Sequence, residues 1–78
     1  MERSPMMLQV ECTYFFEENP FALETGESLA TRLGRSVDDL IPVLERLVEL
    51  SVLTRIGSGE QSVYRYNRPV TVYRNLRT

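Results

Sequence analysis

The chain has 78 residues, of which 42% are hydrophobic and 26% charged, enough for one small core and too few for two. It contains one cysteine and no histidine, which excludes a disulfide scaffold, a Cys/His zinc site and every catalytic scheme that needs an imidazole. The formal net charge is −2, and all the positive charge is arginine, unevenly spread. Up to Thr54 four arginines face ten acids, whereas from Arg55 onward five arginines face Glu60 alone. Such asymmetry either marks a surface that meets a polyanion or simply solvates one side of the fold.

The first residues lack a long apolar stretch, so neither a signal peptide nor a membrane span is expected, and the cytoplasm is the expected location. Leu8, Cys12, Phe15 and Phe16 fall at i, i+4, i+7 and i+8, which predicts a first helix over about Met6–Glu18. Cys12, set among Thr13, Tyr14 and Phe15, reads as a core residue, because nothing nearby would activate its thiol. Asn19-Pro20 ends this helix, and Phe21 to Glu24 reads as one short edge strand.

Thr25 is placed to cap a second, short helix, with Glu27 in its first turn and Leu29, Ala30 and Leu33 on one face. Gly34 stops it. Ser36, with Asp39 three residues on, has the spacing of a capping box, and Leu40, Leu44 and Leu47 follow, predicting a third helix over about Val37–Leu50. Pro42 inside that span predicts a kink, or a regular helix beginning only near Leu40. Val52 to Ile56 and Ser62 to Tyr66 then read as two strands joined through the turn residues Gly57 to Gln61. Tyr64 and Tyr66 share a face opposite Val63 and Arg65. Asn67-Arg68-Pro69 closes the hairpin, leaving residues 70–78 as a tail. Apolar residues in both terminal segments of so short a chain make a homodimer through them an expectation.

The sharpest local pattern runs from Leu29 to Leu40. Ala30 allows two helices to cross closely, Gly34 four positions later permits the positive φ of a tight turn, and Leu40 lies on the inward side of the next helix. With the glycine-containing hairpin after it, the order of elements from Leu8 to Pro69 resembles the winged-helix form of the helix-turn-helix domain, as in small bacterial transcriptional regulators. The resemblance implies an α+β fold of three helices, a short strand and a C-terminal β-hairpin wing, in one domain spanning the chain. Ser51 departs from it, standing where a helix-ending glycine is common.

In that family the third helix usually enters the major groove of double-stranded DNA and the wing touches the backbone or the minor groove. The resemblance therefore implies phosphate contacts by Arg32, Arg35, Arg46, Arg55, Arg65 and Arg68, and so short a chain without histidine is expected to carry no cofactor, no metal and no catalysis. The third helix itself points elsewhere. Its outward residues include Asp38, Asp39, Glu45 and Glu49 against Arg46, and it carries no Asn, Gln or Lys to read bases. A second reading is thus a protein-binding module in which these acids, with Ile41 and Pro42, meet a basic or apolar partner. Ser36, Asp38 and Asp39 also read as helix caps, Gly57-Ser58-Gly59 as a hairpin tip, and Tyr64 and Tyr66 as a cover for the core.

Overall fold

The computed structural model describes residues 4–68, so expectations for Pro69 and the tail 70–78 lie outside the described residues. Six elements follow in order: α1 (Pro5–Glu18), β1 (Leu23–Thr25), α2 (Gly26–Leu33), α3 (Val37–Glu49), β2 (Leu53–Ile56) and β3 (Val63–Tyr66). The fold is α+β, three helices against a three-stranded antiparallel sheet of order β1-β3-β2. Leu8, Cys12 and Phe16 of α1, Leu29 and Ala30 of α2, Leu40, Val43, Leu44 and Leu47 of α3, and Leu53 and Tyr64 of the hairpin form one buried core.

Each helix starts and stops for a local reason. Ser4 caps α1 by accepting from the Met7 N–H at 3.1 Å, and Pro5, which lacks an N–H, occupies the first turn where none is needed. Asn19 closes α1, donating its backbone N–H and its side-chain Nδ2 to the Phe15 carbonyl, each at 2.9 Å. The strand forecast for Phe21 to Glu24 forms two residues later, at Leu23–Thr25, because only these residues pair with β3. Thr25 is the last residue of β1 and the cap of α2: its hydroxyl accepts from the Ser28 N–H at 3.0 Å, and its own N–H donates to Ser28 Oγ at 2.9 Å.

At the end of α2, Gly34 takes a left-handed φ of 67°. This lets the Gly34 and Arg35 N–H groups turn back onto the Thr31 and Ala30 carbonyls at 3.4 and 2.9 Å. Helix α3 ends in the same way. The Ser51 and Val52 N–H groups reach the Val48 and Leu47 carbonyls at 2.9 Å, with Ser51 held at a φ of 65°. Ala30 is buried as its role requires, and α2 also lies close to α3 at Gly26, where a Cβ would lie 2.7 Å from Ile41 Cδ1.

Two expectations for α3 are corrected. Ser36 Oγ accepts from the Asp38 N–H at 3.1 Å rather than from Asp39. The helix begins at Val37 and runs to Glu49 with Pro42 inside it, so it does not start late at Leu40. The proline withdraws one donor, the one that would have served the Asp38 carbonyl, and Asp38 is solvent-exposed, where that loss costs little.

Pairing of Leu53 with Tyr66, Thr54 with Arg65, Arg55 with Tyr64 and Ile56 with Val63 fixes the register of the hairpin. Because side chains alternate along a strand, Leu53, Arg55, Tyr64 and Tyr66 point toward the helices, and Thr54, Ile56, Val63 and Arg65 lie on the outer face with Leu23 of β1. Asn67 ties the open end of the hairpin to the end of α3. Its N–H donates to the Val52 carbonyl, its Nδ2 to the Ser51 carbonyl, and its Oδ1 accepts from Thr54 Oγ1 at 2.6 Å.

Candidate functional site

The six arginines expected to face phosphates are dispersed, and most are engaged within the chain. Arg32, in the last turn of α2, donates through Nε to Glu24 Oε2 at 2.9 Å, and its guanidinium lies 6.0 Å from the centre of the Phe15 ring. Arg35, just past the α2 turn, forms a two-pronged pair with Glu11 of α1, its Nε donating to Oε1 at 3.0 Å and its Nη2 to Oε2. Hydrogen bonding to Glu11 raises the guanidinium above its ordinary value. Arg46 reaches Glu49 at 3.3 Å along the same exposed helix face. Arg68 lies over the Phe21 ring, 4.4 Å from its centre.

The two hairpin arginines are on opposite faces of the sheet. Arg55 points toward α3 and donates through Nη1 to Glu45 Oε2 at 2.9 Å, a bond that raises its own protonation range. Tyr64 donates its hydroxyl to the same carboxylate oxygen at 2.7 Å, and burial first, then this bond, pushes its phenol up to about 12. Glu45 therefore works as a clamp between α3 and the hairpin. Arg65 is exposed on the outer face between Leu23 and Thr54, and it alone of the six has neither a carboxylate nor a ring partner among the described residues.

Sequence reasoning missed the carboxylates. Glu24 is buried at 5% exposure, on β1, and accepts from Ser28 Oγ at 2.6 Å as well as from Arg32. Its partners stand four and eight residues on, a spacing visible once α2 is known to begin at Gly26. Glu11 and Glu45 find arginines 24 and 10 residues away, and only tertiary structure brings these together.

Between the start of α2, the start of α3 and the tip of the hairpin lies a cleft of about 350 Å³. Glu27, Asp38 and Glu60 line it together with Val37, Ile41 and Tyr64, and among the described residues no basic one lines it. Gly59–Gln61 forms a short 3-10 turn that builds the hairpin side of this cleft. The adjoining surface of α3 adds exposed Asp39, Pro42, Arg46 and Glu49. Ile41 is half-buried against Gly26, so the expected apolar spot reduces to Pro42 on the open face and Ile41 inside the cleft.

An acidic concavity with an apolar floor repels phosphate and suits a cationic side chain with an aliphatic stem. Among the described residues no cluster of Cys, Asp and Glu is placed to hold a metal ion, and no helix is long and apolar enough to cross a membrane. No protein-family model, curated protein or solved structure matches the chain.

Proposed function

We propose that this chain is a winged-helix module that binds a basic segment of a protein partner on the face formed by α3 and the hairpin. The element order, the sheet order β1-β3-β2 and the tight α2–α3 turn at Gly34 support the winged-helix reading. One observation carries the choice of partner. The cleft at the face where a winged helix would meet DNA is lined, among the described residues, by Glu27, Asp38 and Glu60 with no arginine, while Arg55 on the same face of the hairpin is held by Glu45. A lysine or arginine of the partner enters the cleft, its stem on Val37 and Ile41 and its charge among the carboxylates.

Fluorescence anisotropy with a labelled peptide of alternating lysine and leucine, run beside a labelled 20-base-pair duplex, tests this reading. The peptide is expected to bind with micromolar affinity that weakens as salt rises, and the duplex not to bind. Asp38→Arg with Glu60→Arg should weaken the peptide at least about tenfold, equivalent to about 1.4 kcal/mol. Glu45 is left intact because its replacement would unfasten the hairpin. Peptide binding unchanged by that double substitution would remove the cleft from consideration.

A second reading, phosphate binding by a DNA regulator, draws on Arg65, exposed and without a carboxylate partner among the described residues. It requires the duplex to bind with a steep salt dependence, and Arg65→Ala to reduce the salt slope by about one.

A further inference from the structure

Helix α1 is apolar on two opposite sides. Leu8, Cys12 and Phe16 are buried in the core with Phe15 packed beside them, whereas Met6, Met7, Val10 and Tyr14 are 73%, 58%, 63% and 62% exposed. At about 100° per residue, the four exposed side chains fall on one continuous stripe, half a turn around the helix from the buried set. Scattered exposed apolar residues are ordinary, but a stripe of two methionines, a valine and a tyrosine over two turns is a surface with an occupant.

The charges of α1 indicate which occupant. The helix has no acid in its first turn and no base in its last, where Glu17 and Glu18 stand instead. The C-terminal end therefore opposes the helix dipole, and the first turn offers no charge of its own to the positive end. Glu17 lies on the same line around the helix as Met6 and Val10, so whatever covers the stripe also meets this carboxylate.

We propose that α1 pairs with α1 of a second copy of the chain, antiparallel, with Val10 at the two-fold axis. In that arrangement Met6 packs on the partner's Tyr14, and Glu17 and Glu18 come toward the N-terminal end of the partner helix, the end that favours negative charge. A parallel pairing would bring the four carboxylates together instead. Two such stripes in contact remove on the order of 1,000 Å² from water, the lower bound for a specific interface, so dissociation is expected in the micromolar range. The stripe lies on the side of α1 away from the core, and the pairing stands independently of the cleft between α3 and the hairpin.

Sedimentation equilibrium of the full chain tests the pairing. The mass should rise from 9.0 kDa to twice that value as concentration passes through the micromolar range, and Val10→Glu, which places two carboxylates at the axis, should raise the dissociation constant at least about tenfold with unchanged helical circular dichroism. Cross-linking reads the orientation without relying on that variant. Cys12 is fully buried, and desolvation pushes its thiol up to about 11, so a bis-maleimide reports only introduced cysteines.

A mixture of Met6→Cys and Tyr14→Cys chains should give mixed dimers, whereas Met6→Cys alone should give few. A wild-type mass of 9.0 kDa at every concentration would overturn the pairing and leave the stripe to another protein or to the chain's own C-terminal residues. A dimer indifferent to Val10→Glu, or efficient linking of Met6→Cys to itself, would overturn it as well.

Discussion

Tyr64 and Cys12 are the two titrating side chains that the core draws most strongly toward neutrality. Burial lifts the phenol to about 12 from an ordinary 10.0, with the hydrogen bond to Glu45 adding to the effect, and lifts the thiol to about 11 from 9.0 with help from the Glu11 charge. Both folded values lie above the unfolded ones, so the neutral forms favour folding. That contribution is complete below about pH 9 and is lost as pH rises through 11 for Cys12 and 12 for Tyr64. Urea midpoints measured from pH 8 to 12 should fall across this window. Tyr64→Phe should cost about 0.5–1.5 kcal/mol at neutral pH through the lost bond to Glu45, and should remove the upper part of the alkaline decline. Thiol reagents at pH 8 should modify Cys12 only as fast as the chain unfolds.

At the scale of the element, α2 and α3 end with the same pair of backbone bonds but different residues at the left-handed position. Gly34 holds a φ of 67° without strain, whereas Ser51 holds 65° with a Cβ, which costs an L-residue about 1–2 kcal/mol. Ser51→Gly relieves that strain against a smaller entropic penalty. Thermal and urea unfolding should show a gain of about 1 kcal/mol, and no gain would mean that the serine is stabilised by something other than backbone geometry.

The departure at Ser51 was visible in the sequence, as were the caps at Thr25 and Ser36, the stop at Gly34 and the hairpin, because each depends on residues within a few positions of one another. The two-residue shift of β1 was not visible, since pairing with β3 decides it. Nor was the fate of the arginines. Alternation along β2 and β3 set Arg55 and Arg65 on opposite faces only once the register of Arg55 against Tyr64 was known. Arg35 met Glu11 through the docking of α1. Residue type suggested a basic surface, and tertiary pairing converted most of it into internal fastenings.

For the molecule as a whole, these fastenings distribute charge in a way that composition conceals. Glu11, Glu24 and Glu45 hold arginines of the α2 turn, α2 and β2, whereas the exposed surface of α3 carries Asp38, Asp39 and the Arg46–Glu49 pair, with Glu27 and Glu60 around the cleft. The chief effect of these pairs is on which charges a partner meets. The proposed protein-binding face and the apolar stripe of α1 are separate surfaces. If both proposals hold, a pair of chains presents two acidic clefts at once, and the paired chains should bind a doubled basic peptide more tightly than Val10→Glu does, by a factor that vanishes for the single peptide.

Thr25 belongs to the sheet and to α2 at the same time, with no residue between strand and helix. Peeling β1 away from β3 therefore withdraws the hydroxyl that holds the first turn of α2, and fraying that turn loosens the strand. Sheet and helices are geared together, so partial melting has no natural seam here, and the amide protons of Ser28 and of β3 should exchange with a single common opening free energy.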